Sequence, residues 1–224
     1  LGGARAGARP AMTAVADTGR ACHVNMFLAK AGWGGARRTP LTGAASFRRY
    51  ERLQDGLRHA LLMDAPPPMD DVTPYVQLSA PLLALGLSAP RVLAGEPAAG
   101  LLVIEDFGDE TYARALAAGA DEAALYALAV DVLIALHGHA DATRLALPAY
   151  DAERMANEAL LLTDWFLPAI RGRATPPGER DAYLAAWRRV APIAGAAPAT
   201  LMLRDYHIDN LMLLRDRPGV AACG

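Results

Sequence analysis

Asp205 and Asn210 stand five apart in the stretch Leu203-Arg204-Asp205-Tyr206-His207-Ile208-Asp209-Asn210-Leu211-Met212. Transfer of a phosphoryl group to a hydroxyl asks for two such groups. One is a carboxylate that orients the nucleophile and takes its proton, and the other is an oxygen ligand for a magnesium ion held near the phosphates. Asp205 can supply the first and Asn210 the second. An Asp and an Asn at this separation also serve as turn formers or caps. The apolar runs Leu201-Met202-Leu203 and Leu211 to Leu214 on either side favour the chemical reading, because two short buried strands around a polar turn would bring both side chains to one side. His207 is expected to position backbone by hydrogen bonds rather than to act as a base, and Asp209 to be a turn residue.

The elements that must carry this loop divide the chain in two. Apolar residues Val24, Phe27, Leu28 and Ala31 recur at helical spacing between Cys22 and Trp33, with Gly32 and Gly34 as a stop. Extended segments are expected at Arg38 to Thr42, Ser46 to Leu53 and His59 to Asp64, separated by Thr42-Gly43-Ala44-Ala45 and Gln54-Asp55-Gly56, which reads as an antiparallel meander. After Ala65-Pro66-Pro67-Pro68, Asp70-Asp71 can cap a helix that ends at Gly86. Strands at Pro90 to Ala94 and Leu101 to Glu105 follow. From Asp109 onward, four Ala- and Leu-rich segments show helical spacing: Asp109 to Ala118, Glu122 to His139, Ala152 to Ile170 and Glu179 to Val190. The expected class is therefore α+β. Trp165, Phe166 and Trp187 are expected in the core of the helical half, and the His137-x-His139 pair at a helix end.

Bulk properties narrow the partners. The chain has 224 residues, 53% of them apolar, and a net charge of −2. It has room for one catalytic body, and its balanced charge points to no nucleic acid and no anionic membrane surface. The expected partner is a small molecule. Only Cys22 and Cys223 occur, which argues against a disulfide framework or a multi-cysteine metal site and fits a reducing cytoplasm. No window approaches the roughly 20 apolar residues of a membrane span. The first residue is not Met, and LMLLRDRPGVAACG stops after a strand-and-turn pattern, so the reading expects a chain truncated at its C-terminal side.

The segment LRDYHIDNLMLL resembles the catalytic loop of the aminoglycoside phosphotransferase and choline kinase superfamily, in which His-Gly-Asp is the commoner opening. More closely, LTGAASFRRYERL, LLMDAPP, LLVIEDFGDETY, LPAYD and LRDYHIDNLMLL, in that order, resemble the bacterial anomeric kinases of N-acetylmuramate and N-acetylglucosamine. The likeness runs from about Phe27 to the end. It implies a bilobal protein-kinase-like fold: residues 1–20 poorly ordered, 21–106 an N-lobe with an antiparallel sheet, and 107–224 an incomplete, mostly helical C-lobe carrying the loop 203–212. It also implies transfer of phosphate from ATP, with magnesium, to the anomeric hydroxyl of an amino sugar released in cell-wall recycling. Asp205 then matches the base and Asn210 the metal ligand. Glu105, Asp106 and Phe107 match the linker that meets adenine, and Thr42 to Phe47, with Gly43 and Ser46, the loop over the phosphates.

Two departures from the pattern set further expectations. The strand Leu61-Leu62-Met63-Asp64 has no lysine to pair with phosphates, so Arg48 or Arg49 is the candidate for that part. A second metal-binding Asp is expected beyond Gly224, which would leave this length of chain weakly active or inactive. Kinases of the same fold acting on an aminoglycoside, homoserine or a choline-like alcohol share Asp205 and Asn210. A pseudokinase that only binds nucleotide is the non-catalytic alternative.

Overall fold

A computed structural model describes residues 12–41, 48–145 and 147–224. Helix α1 spans Met12–Lys30, and strands β1 (Arg37–Leu41), β2 (Arg49–Asp55) and β3 (Arg58–Asp64) follow. Helix α2 (Thr73–Ala84), β4 (Val92–Glu96) and β5 (Leu101–Ile104) complete the first half. The five strands form one antiparallel sheet in the order β1-β2-β3-β5-β4. The fold is α+β, as the extended segments followed by helical ones predict.

Alternation also explains how the sheet is covered. Leu53, Ala60, Leu62, Leu101 and Val103 point to one face and bury Val24, Phe27 and Leu28 of α1 together with Trp33. Met63, Ala65, Leu102 and Ile104 point to the other face and meet Val72, Tyr75 and Val76 around the start of α2. Leu62, Leu101, Leu102 and Val103 are at most 1% exposed, and each such side chain contributes about 2 kcal/mol by leaving water. The backbone closes tightly beside them. Ala65 N–H donates to Gly100 O at 2.9 Å. Gly100 has φ 67°, and a Cβ there would lie 1.9 Å from Ala65 O. Only glycine satisfies both conditions.

Helix α1 begins at Met12, ten residues before the expected start at Cys22. Its C-terminus is closed by Trp33 N–H to Leu28 O (2.7 Å) and Gly32 N–H to Ala29 O (3.2 Å), with Gly32 left-handed at φ 77°.

The rest is helical: α3 (Tyr112–Ala117), α4 (Glu122–Gly138), α5 (Ala152–Ala159), α6 (Leu167–Arg171) and α7 (Pro177–Ala194). Residues Leu162–Phe166, between α5 and α6, form a π-turn. Leu160 and Thr163 face inward while Trp165 is 73% and Phe166 56% exposed. The expectation of core positions for these two rings is corrected: the inward face runs through Leu160, Thr163 and the half-buried Leu167, and the wide turn carries the intervening residues outward. Trp187 is half-buried and meets Tyr183 edge-on at 6.5 Å.

The two strands expected around the loop are also corrected. Residues 201–203 form no strand, although Leu201 is buried, and Arg204 turns left-handed at φ 63° directly after them. Residues 211–214 make two isolated bridges, Thr111 to Met212 and Leu213 to Cys223.

The chain groups into two compact units. One holds residues 1–132 and 207–224, and the other Leu133–Tyr206. Within the first unit Glu110, Thr111 and Tyr112 pair through their backbones with Leu211, Met212 and Leu213. No helix among the described residues is long and apolar enough to cross a membrane.

Candidate active site

The segment 207–214 is pinned along its length. Tyr112 N–H donates to Leu211 O (2.9 Å), Leu213 N–H to Glu110 O (2.8 Å) and Ala113 N–H to Ile208 O (3.1 Å). On the other side Met212 and Gly224 exchange both backbone hydrogen bonds, at 2.6 and 2.9 Å, and Leu214 N–H donates to Ala222 O at 2.7 Å. Asn210 lies on the exposed side of this small ladder. Its backbone N–H donates to His207 O at 2.9 Å, and its amide nitrogen meets His207 Nε2 at 3.1 Å. The imidazole thus takes the NH2 end of the amide, and Oδ1 faces away from it. With Nε2 accepting, Nδ1 carries the ring proton and lies 3.6 Å from Asp209 Oδ2, so this histidine organises the loop.

The segment after β5 belongs to the same unit. Glu105 N–H donates to Arg91 O (2.8 Å), which extends the pairing of β4 and β5 by one residue. Its carboxylate accepts from Arg217 Nη2 at 2.7 Å, and the Arg217 guanidinium lies 4.8 Å over the Phe107 ring. Asp106 is gripped by Arg52 through both oxygens, at 2.6 and 3.2 Å. Arg52 also reaches both oxygens of Asp109 and the Gly108 carbonyl. Only 6% of the Asp106 side chain is exposed. The guanidinium holds the Asp109 carboxyl below its ordinary range. One β2 arginine therefore closes the whole turn 106–109.

Arg48 is bound to Asp70 by a two-point ion pair, 2.7 and 3.1 Å, which lowers the Asp70 carboxyl below its ordinary range. Arg49 opens β2 with an exposed side chain. At the end of β3, where a lysine is lacking, stands Asp64 with 12% of its side chain exposed, and Arg20 of α1 neutralises it at 2.6 Å. Thr42, Gly43, Ser46 and Phe47 lie outside the described residues.

Asp205 is exposed and belongs to the other unit; the boundary falls between Tyr206 and His207. The preceding residue is held in place. Arg204 Nη2 donates to Glu158 Oε1 at 2.8 Å, and Glu158 also accepts from the Tyr150 hydroxyl at 2.6 Å and, weakly, from Arg154 Nε at 3.5 Å. Tyr150, Arg154 and Arg204 together hold the Glu158 carboxyl below its ordinary range, the hydroxyl contributing most. A left-handed backbone at a non-glycine residue costs about 1–3 kcal/mol. Glu158 also borders an open concavity lined by Ala149, Asp151, Arg154, Asn157 and Leu161.

Residues 37–223 match the phosphotransferase enzyme family. The chain belongs to this family. It is 37% identical to the N-acetylmuramate/N-acetylglucosamine kinase of Caulobacter vibrioides, across 88% of this chain and 64% of that protein. It is 39% identical to the kinase of the same name from Pseudomonas aeruginosa, across 89% and 59%, and 34% identical to that of Neisseria meningitidis, across 79% and 53%. The chain thus spans about six-tenths of the length of the relatives it matches.

For this phosphotransferase family member, the donor set suits a hard cation. Magnesium takes oxygen ligands and usually keeps several waters, with one or two protein groups and substrate phosphates completing its shell. Among the described residues no three or more His, Cys, Asp or Glu group together to hold a metal; an amide oxygen such as that of Asn210 is a donor of the kind magnesium takes. Arg52, Arg20, Arg217 and Glu158 did not figure in the sequence reading. Of these, Arg52 alone carried a signal, a charged residue on the face of β2 that otherwise packs Tyr50 towards Met63.

Proposed function

We propose that this chain is part of an ATP- and magnesium-dependent kinase that phosphorylates a hydroxyl of an N-acetylated amino sugar, the anomeric hydroxyl of N-acetylmuramate or N-acetylglucosamine. The observation that carries the reading is the 34–39% identity to four relatives named N-acetylmuramate/N-acetylglucosamine kinase. It is supported by the presence within the matched family span of Asp205 and Asn210 at kinase-loop spacing.

Asp205 orients the sugar hydroxyl and accepts its proton, while Asn210 offers its amide oxygen to the metal. Asn210 would hold magnesium, which when bound would supply positive charge against the phosphate oxygens. The stretch Glu105 to Phe107 receives adenine, and its firm attachment through Arg52 and Arg217 supports this assignment. Thr42, Gly43, Ser46 and Phe47 are assigned to the loop over the phosphates, with Arg48 or Arg49 as the nearby cation. The reaction is placed in the cytoplasm, where ATP is available and Cys22 and Cys223 stay reduced.

Phosphorus NMR of the protein with ATP, magnesium and either sugar tests this reading. The expected result is a new sugar-phosphate signal split by the anomeric proton. Folded, nucleotide-binding protein that gives no such signal would remove the amino-sugar assignment, and aminoglycoside and amino-alcohol acceptors would then be compared.

A further inference from the structure

Arg204 is the one non-glycine residue with a left-handed backbone among the described residues. It directly precedes Asp205, so its φ fixes the direction in which the chain delivers that carboxylate. Relaxation to the negative φ that an arginine prefers would swing the following peptide and Asp205 with it. The side chain of Arg204 is tied to Glu158, 46 residues away on α5. Glu158 in turn is steadied by the Tyr150 hydroxyl at 2.6 Å. All of these residues lie in one compact unit.

We infer that Glu158 is a positioning residue: through its ion pair it holds Arg204 in the left-handed conformation and so aims the Asp205 carboxylate for proton acceptance. The inference rests on the reading of Asp205 as the base. It also explains an arginine where glycine would fit without strain. Glycine would reach the conformation but would lack the side chain by which Glu158 holds residue 204.

The decisive variant is Arg204→Gly, which removes the strain and the anchor together. Its melting temperature should equal or exceed that of the parent, while kcat falls roughly 30-fold with KM for ATP within about twofold, the scale expected when a catalytic group loses its aim. Glu158→Gln should lower kcat similarly. The double variant Glu158→Gln/Arg204→Gly should be no slower than Arg204→Gly alone, because both changes cut one link. Glu153→Gln, which breaks an exposed pair with Arg188 on the same helix, should keep the parent kcat.

Parent-like kcat in Arg204→Gly, or losses that multiply in the double variant, would overturn the inference. Should Glu158→Gln not fold, Tyr150→Phe takes its place, and the same comparison with Arg204→Gly decides. Each variant is assayed on whichever alcohol the parent protein phosphorylates. Failure of the parent on amino sugars therefore counts against the proposed substrate, and failure of the kcat pattern against Glu158.

Discussion

The guanidinium of Arg52 and the carboxylate of Asp106 meet through two hydrogen bonds, 2.6 and 3.2 Å long, across 54 residues of sequence. Strand β2 thereby holds the turn that leaves β5, and with it the backbone assigned to adenine. Removing one partner of such a nearly buried pair leaves a charge without compensation. Arg52→Met should cost about 3 kcal/mol in urea unfolding and weaken ATP binding, whereas Arg52→Met/Asp106→Leu should recover most of the stability. An unchanged unfolding midpoint in the single variant would mean that the pair holds nothing.

Asp205→Ala should reduce phosphate transfer by about 1,000-fold, within the range for loss of a general base, and leave ATP affinity within a factor of about three. Turnover by coupled assay and nucleotide binding by calorimetry separate the two effects. Normal turnover would show that another group takes the proton.

His207→Ala removes the acceptor that orients the Asn210 amide. Groups that hold a metal ligand in place are worth about 10–100-fold in metal affinity, so the magnesium concentration for half-maximal turnover should rise by about tenfold. Restored saturation at high magnesium is expected. A loss that magnesium does not repair would separate His207 from the metal site.

Gly100→Ala places a methyl group 1.9 Å from Ala65 O and forces an L-residue into φ 67°. Neither atom is a side-chain end that could move aside. The variant should lose more than about 3 kcal/mol or fail to accumulate as folded protein, which a thermal melt or solubility test reads directly.

Asp70, Asp109 and Glu158 are among the carboxyls held below their ordinary range in the folded chain, each lowered by a hydrogen-bonding partner. Their unfolded forms bind protons more readily, so stability rises with pH through this region. The contribution is complete above the ordinary carboxylate pKa of about 4 and is lost as pH falls through the lower folded values. Urea midpoints from pH 3 to 7 should show this decline, and Arg48→Gln should flatten it by releasing Asp70. An unchanged slope in that variant would assign the dependence elsewhere.

What was legible in the sequence was local. The extended runs read at Ser46 to Leu53 and His59 to Asp64, between turn signals, overlap β2 and β3. Asp205 and Asn210 stand out because their significance lies in spacing and flanks, within one loop. The ties of Arg20 to Asp64, Glu158 to Arg204 and Arg217 to Glu105 span 44, 46 and 112 residues, and no periodicity marks such pairs. Trp165 misled for a related reason: a large ring suggests a core, while the face it occupies depends on a π-turn that residue types do not announce.

The exchange of hydrogen bonds between Met212 and Gly224 imposes a fixed count. Substitutions in residues 215–221 can change the chemistry of that turn, but adding or removing one residue would put every later partner out of step. The pairing of 212, 213 and 214 with 224, 223 and 222 would then slip. Arg217 would lose its reach to Glu105, and Asn210 the framework beneath it. The turn acts as a spacer whose length matters more than its letters, so among engineered or naturally varying versions of this chain, insertions there would be more damaging than replacements.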